Sequence, residues 1–267
     1  MTIKVGMFGF GRTGSVVAQE IIKDGACELS WVMRRTHAME GKYASYLLGF
    51  EHAEGKIYSV DDLTRDDYDD FYQDNYVDVI IDFSSSSAVE KYAKAAKYGT
   101  RIVSAISNYD RAQLEQLKSL GKKTAVLYSP NITLGINFLI EASKVLQRIV
   151  PQADIEIIEE HFRGKKDVSG TALRIAEDLG LDKRKHVNSI RVGGVVGKHE
   201  VVFGLPNQTI RIIHESLGRE AFGQGAIYAA KWLMGQGKGV YTMEEAVAMS
   251  FDNRKTPDVY NNGLVAL

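Results

Sequence analysis

Through roughly the first 130 residues, short apolar runs alternate with stretches whose apolar positions recur at helical spacing. This is the pattern of βαβ units feeding a parallel sheet. Ile3 to Phe8 reads as the first strand. Ser15 to Lys23 follows as a helix with Val17, Ile21 and Ile22 on one face, closing at Gly25. Leu29 to Met33 is the second strand. Val77 to Phe83 is largely apolar, as a central parallel strand covered on both faces must be. Ser86 or Ser87 stands where it can cap a helix running to Gly99. Arg101 to Ile106 and Lys123 to Tyr128 are strands on either side of a helix from about Asp110 to Leu120, which ends at Gly121. The acidic stretch Asp61 to Asp70, with Asp74, reads as a solvated loop.

Ser129-Pro130-Asn131 breaks the rhythm, and beyond it the pattern changes. A helix is expected over Gly135 to Gln147 and a strand over Ile155 to Ile158. Ser189 to Val192, Glu200 to Phe203 and Thr209 to His214 alternate apolar with polar positions, which suits a sheet with one solvated face. Phe222 to Met234 and Met243 to Met249 are helical, with no sign of which domain they pack on. The expected fold class is α/β: a Rossmann-type dinucleotide-binding domain followed by an α+β substrate-binding and catalytic domain.

With 267 residues and 45% hydrophobic content, the chain can fill two modest cores. Lys and Arg number 33 against 34 Asp and Glu, so no global field favours nucleic acid or an anionic membrane as a partner. The first residues enter a strand without a basic or cleavable leader, and the single Cys27 can form no intrachain disulfide. A reducing cytoplasm is the expected location. His199 and His214 lie in alternating strands without metal-ligand spacing, so they read as structural or substrate-facing, and no metal is implied.

Gly9-Phe10-Gly11-Arg12-Thr13-Gly14 is a GxGxxG run between the first strand and the first helix. There, backbone N–H groups at a helix start can receive a pyrophosphate. The end of the second strand usually separates the two nicotinamide cofactors, because an acid there bonds a ribose hydroxyl and an arginine pairs with a 2′-phosphate. Here it reads Met33-Arg34-Arg35-Thr36. NADPH is therefore the favoured cofactor and NADH an alternative, and Arg12 is a third cation able to reach a phosphate. Ser84 to Ser87 suit either a polar loop beside the cofactor or a helix cap.

The densest polar cluster is the segment from Glu159 to Thr171, EEHFRGKKDVSGT. Lysine ammonium groups and the N–H groups of a Ser169-Gly170-Thr171 turn opening a helix over Ala172 to Leu179 can hold a carboxylate. His161 adds a group that gives or takes a proton near neutral pH. The same letters also suit a solvated charged loop.

Glu159 to Thr171 resembles the E-x-H-H-x-x-K-x-D-A-P-S-G-T-A signature of the 4-hydroxy-tetrahydrodipicolinate (dihydrodipicolinate) reductases of lysine and diaminopimelate biosynthesis. Gly197-Lys198-His199-Glu200-Val201-Val202-Phe203 is similar to that family's G-x-H-x-V-x-F strand. His214 to Trp232, with Arg219, Phe222, Gly225-Ala226 and Ala229, is similar to its H-x-x-x-x-R-x-x-F-x-x-G-A-x-x-A-x-x-W stretch. Asp82-Phe83-Ser84 and Ser129-Pro130-Asn131 resemble its two nicotinamide-side loops, and Ala105-Ile106-Ser107-Asn108 stands where the family has G-T-T-G. The resemblance implies hydride transfer from NAD(P)H to a cyclic imine dicarboxylate, with His161 as proton donor. Lys165, Ser169, Gly170 and Thr171 fall on substrate-carboxylate positions, and Lys165 is favoured over Lys166 by its spacing from His161. Phe83, Ser84, Ala105, Ser107, Ser129 and Asn131 join the glycine loop on the cofactor side. The resemblance also implies a first domain over 1–130 and 240–267, a second over 131–239, and a homotetramer built through the second domain's sheet. Three departures touch the reaction centre: Phe162 replaces the second histidine, the anion turn is one residue shorter, and so is the glycine loop. A same-fold reductase or dehydrogenase of another imino or amino acid, and a cofactor-binding regulator without turnover, are the alternative expectations.

Overall fold

Residues 2–63 and 67–251 are described in the computed structural model of the chain. They divide into two units: the chain up to Ile132 with the chain from Phe222, and Thr133–Ala221.

In the first unit, β1 (Ile3–Phe8), α1 (Gly14–Lys23), β2 (Cys27–Arg34), α2 (Ala44–Leu47), β3 (Lys56–Ser59), α3 (Asp67–Asp74), β4 (Val79–Asp82), α4 (Ala88–Tyr92), β5 (Arg101–Ser104), α5 (Arg111–Leu120) and β6 (Ala125–Tyr128) follow one another. In the second, α6 (Leu134–Ile149), β7 (Asp154–His161), α7 (Gly170–Asp178), β8 (Val187–Arg191), β9 (Lys198–Leu205) and β10 (Gln208–Glu215) follow. The chain closes its described part with α8 (Glu220–Leu233), β11 (Gly239–Tyr241) and α9 (Met243–Phe251).

The first unit is a seven-stranded, wholly parallel sheet in the order β11-β6-β5-β4-β1-β2-β3. Every residue of β4 is buried, the expected fate of a continuous apolar run in a sheet covered on both faces. Phe8, Trp31, Phe71, Tyr72 and Tyr92 form an aromatic core beside it, with ring centroids 5.4–6.1 Å apart for the Phe8–Trp31, Phe8–Tyr92, Trp31–Phe71 and Trp31–Tyr72 pairs. That core explains two departures from the sequence reading. The acidic stretch is helical over Asp67–Asp74 because Tyr68, Phe71 and Tyr72 share one buried face; residues 64–66 of it lie outside the described residues. The helix expected to reach Gly99 breaks after α4 into a 3-10 turn at Ala95–Tyr98, closed by Gly99 in the left-handed region. Ser87 occupies its N-cap without a side-chain cap bond, its hydroxyl lying 3.1 Å from that of Ser85 instead. Asp110 does cap α5, in a reciprocal box with Gln113.

The second unit is a four-stranded sheet in the order β10-β9-β7-β8, antiparallel except for β7 with β8. Ile155, Ile157, Val201 and Phe203 on its inner face pack with Ile136, Leu139 and Ile140 of α6 and Ala172, Ile175 and Ala176 of α7. Its alternating strands leave the other face solvated.

The expected second domain, 131–239, ends too late. α8 enters the first unit because Gly223 permits close approach to Val17 and Glu20 of α1, Trp232 is buried, and Lys231 pairs with Asp24 at 2.8 Å. The return therefore comes at Phe222 rather than at 240. Residues 252–267 of the expected returning segment lie outside the described residues.

Candidate functional site

Two sites emerge, one in each unit. In the first, register brings Phe8, Asp82, Ser104 and Tyr128 to one level at the carboxyl ends of their strands, so Gly9, Phe83, Ala105 and Ser129 follow along the same edge. Gly9 has φ 100°, and a Cβ there would lie 2.7 Å from the Phe83 carbonyl oxygen. Only glycine suits that position. Its N–H donates to the Met33 carbonyl at 2.8 Å. Gly14 is buried beneath Gly9, whose carbonyl would meet any side chain at 14.

A cavity of about 290 Å³ opens above this edge, lined among others by Gly9, Phe10, Gly11, Arg34, Arg35, Phe83 and Ser84. These are the expected cofactor residues that the structure assembles. Arg12, Thr13, Gly14, Ala105, Ser107, Ser129 and Asn131 are not in its lining. Ala105 and Ser129 continue the sheet edge through N–H bonds to the Asp82 and Ser104 carbonyls, and Ser129 Oγ donates to the Asn131 carbonyl at 2.8 Å. Ser85, Ser87 and Lys91 line the cavity too, so the serine run is a polar wall, and no side-chain cap bond forms at Ser87. Lys91 was invisible to motif reading, since α4 brings it from far along the chain. Burial lowers its pKa. Arg34 Nη1 is buried without a hydrogen-bond partner among the described residues. An orphaned guanidinium nitrogen beside a Gly-lined cradle fits an anionic cofactor.

Beneath this wall lies Asp82, fully buried at the end of β4. Its Oδ1 accepts from the Ser84 N–H at 2.9 Å and the Ser84 hydroxyl at 2.6 Å. Burial nonetheless pushes its pKa up to about 7, against hydrogen bonds that lower it. A chain of hydroxyls runs alongside: Ser104 and Tyr92 each lie 2.8 Å from Tyr109.

In the second unit β7 runs on past Ile158 to His161, so Glu159 and His161 belong to the strand and not to the following loop. Period-two alternation turns both inward, and both are buried. Pairing with β8 sets Ser189 beside Glu159 and Arg191 beside His161; pairing with β9 sets His199 beside Glu159. The His161 ring meets His199 edge-on, with centroids 5.4 Å apart. Glu159 lies against His161 Nδ1 and accepts from Ser189 Oγ at 2.6 Å, from the Ser169 N–H at 3.2 Å, and from both Arg191 terminal nitrogens at 2.9 and 2.6 Å. Burial raises its pKa, but the bonds from Arg191, Ser189, His161 and Ser169 outweigh it and hold the carboxyl down at about 2.

Ser169 begins α7 as its N-cap, and its Oγ lies 2.8 Å from His199 Nε2. Gly170 and Thr171 supply the first N–H groups of that helix. Lys165 is half-buried in the loop while Lys166 is exposed, which favours Lys165 as the functional amine. Burial, then the neighbouring His161 and His214, push His199 down to about 4, so it is neutral at ordinary pH. His161 and the Ser169 N–H thus meet at Glu159, Gly170 and Thr171 follow Ser169 at the start of α7, and the Lys165 backbone is reached through Arg191. The structure adds Glu159, Ser189 and Arg191, whose roles depend on strand pairing. Glu159 alone carried a local signal, two positions before His161 in a strand. Among the described residues no group of acids, histidines and cysteine could hold a metal ion.

Known proteins bear on both sites. The family model described as "Dihydrodipicolinate reductase, N-terminus" matches residues 3–132, and "Dihydrodipicolinate reductase, C-terminus" matches residues 133–247. The chain is 38% identical over 192 residues to a 4-hydroxy-tetrahydrodipicolinate reductase of Caldanaerobacter subterraneus subsp. tengcongensis, covering 64% of this chain and 76% of the relative. It is 32% identical over 268 residues to one of Anaplasma marginale, covering 92% and 99%. The dipicolinate-bound dihydrodipicolinate reductase of Paenisporosarcina sp. TG-14 has the same fold, with TM-score 0.75 at 20% identity, covering 91% of this chain and 98% of that one.

Proposed function

Because the chain belongs to the dihydrodipicolinate reductase family, we propose that it reduces 4-hydroxy-tetrahydrodipicolinate to tetrahydrodipicolinate in lysine and diaminopimelate biosynthesis. The observation that carries this reading is the inner-face cluster of the second unit: a buried histidine on a carboxylate, beside a half-buried lysine and the N-terminus of α7. A cyclic imine dicarboxylate needs those three things, a proton donor and two sources of positive potential for its carboxylates.

The nicotinamide, when bound, supplies the hydride. Gly9, Phe10 and Gly11, with Arg12, Thr13 and Gly14 at the helix start, take the pyrophosphate side, and Phe83, Ser84, Ala105, Ser107, Ser129 and Asn131 take the nicotinamide side. Arg34 and Arg35 hold the 2′-phosphate, so NADPH is preferred and NADH is the weaker donor. The Ser169 hydroxyl and the N–H groups of Gly170 and Thr171 bind one substrate carboxylate. Lys165 binds a carboxylate and offsets the charge that develops on the ring as hydride arrives. Glu159, as an anion, can only accept, so Nδ1 of His161 carries a hydrogen and Nε2 is the atom that delivers the proton to the ring. The enzyme works in the cytoplasm as a homotetramer joined through the second unit's sheet; among the described residues no helix is long and apolar enough to cross a membrane.

The test is NADPH oxidation with 4-hydroxy-tetrahydrodipicolinate generated in situ from pyruvate and aspartate semialdehyde by a separate synthase. Turnover is expected, and His161→Ala and Lys165→Ala should each lower it on the order of 10²-fold. Wild-type rates in both variants would refute the assigned roles. Phe162, exposed where the family has a second histidine, favours one other reading, reduction of a different cyclic imine. Cofactor binding without turnover on the lysine-pathway substrate would select it, and no turnover on any imine would leave a cofactor-binding regulator.

A further inference from the structure

The five donors that converge on Glu159 come from four residues in three places: His161 on its own strand, Ser189 and Arg191 on β8, and the Ser169 N–H at the start of α7. The side chain is fully buried. Burying an ion pair is a poor way to stabilise a fold, since the desolvation cost consumes most of the attraction. What such a pair supplies is fixed geometry. Arg191 meets the carboxylate as a bidentate fork and has donors to spare: its Nε donates to the Lys165 carbonyl at 3.1 Å, and Nη2 to the Asp167 carbonyl at 2.9 Å. One carboxylate therefore touches the proton donor directly, the anion turn through a backbone N–H, and the lysine loop through one arginine.

We propose that Glu159 is the positioning residue of this site, fixing His161 with Nε2 outward and, with Arg191, holding the Lys165 loop and the Ser169 turn in register with it. The inference rests on the reading of His161 as proton donor. Gly197 completes the arrangement, since a Cβ there would lie 3.1 Å from His161 Nε2, and glycine leaves that nitrogen clear. The other charged or titratable groups around the pair are His199 on β9, His214 opposite it on β10, and Lys165 in the loop. Glu160 and Lys198 pair with one another at 2.7 Å, next along β7 and β9.

Glu159→Gln keeps the size and removes the charge; Glu159→Asp keeps the charge. In Glu159→Gln, kcat is expected to fall on the order of 10-fold to 100-fold. NADPH affinity, measured by fluorescence, should stay within about twofold, because the cofactor cavity belongs to the other unit. Glu159→Asp, which keeps the charge, should recover most of the lost kcat. Nitrogen-15 spectra of the labelled His161 ring read the same point without substrate: wild type shows the Nδ1–H tautomer, and Glu159→Gln a mixture. An unchanged kcat together with an unchanged His161 spectrum would overturn the proposal. If Glu159→Gln does not fold, Arg191→Lys, which keeps a cation and loses the fork, should raise KM for substrate more than it lowers kcat; wild-type values of both would overturn it. A wild-type protein inert toward 4-hydroxy-tetrahydrodipicolinate would remove the proposed reaction, while the His161 spectra would still decide the role of Glu159.

Discussion

Arg34 ends β2 and Arg35 follows it, both lining the cavity above the glycine loop, and no acidic residue stands among Met33, Arg34, Arg35 and Thr36. Arg34 already carries a buried terminal nitrogen with no partner among the described residues, so a bound phosphate would satisfy it without displacing another bond. Lys91 adds a third cation to the same cavity. Dissociation constants measured by fluorescence should therefore favour NADPH over NADH, and Arg34→Ala should weaken NADPH about 10-fold while leaving NADH nearly unchanged. Equal constants for the two cofactors would refute this. The arginines were legible in the sequence because a strand end beside a glycine loop is a local feature. Lys91, Ser189 and Arg191 were not, because their positions follow from helix docking and strand pairing between distant segments.

At the scale of elements, apolar pattern located most strands and helices but misjudged their ends. β7 outruns its apolar core because pairing with β8 and β9 carries polar residues as far as His161. α3 hides behind its aspartates, since three aromatic residues on one face decide its structure and the acids merely occupy the other. β4 ends on an acid in a buried row, which has a consequence for stability. Asp82 ionises at about 7 in the folded chain against 3.8 for an ordinary aspartate. Between those values the folded state holds a proton that the unfolded state has released, so the stability from this group is complete below about pH 3.8 and is lost as pH rises toward 7. Asp82→Asn removes that dependence. Urea midpoints should therefore show the asparagine variant gaining on wild type from pH 4 to pH 7. A constant difference would show that Asp82 is ionised throughout. Glu159 and His199 have the opposite sign, with folded pKa values of about 2 and 4 below their ordinary 4.5 and 6.5, so both lose stability as pH falls. The comparison of variants isolates Asp82 from them.

At the scale of the whole molecule, the solvated face of the second unit's sheet stands out because it is not uniformly polar. Ile190 and Ile213 are 42% and 53% exposed there, on β8 and β10, the two edge strands. Apolar side chains on an open sheet face suit contact with further copies of the chain. Light scattering after size exclusion should give a tetramer, and Ile213→Glu should shift it to smaller species; a monomeric wild type would refute the assembly. The sequence by itself determined the α/β class, the glycine loop, the strand-end arginines and the His161–Lys165–Ser169 segment. Each is written in periodicity or in short-range chemistry that any window of the chain contains. Only the tertiary structure decided that α8 belongs with the first unit, that Lys91 lines the cavity above the glycine loop, and that Glu159 and Arg191 bind the segment from His161 to Ser169 together. Those facts depend on hydrogen bonds and packing between residues far apart in the chain, which fold together only when the whole core is buried.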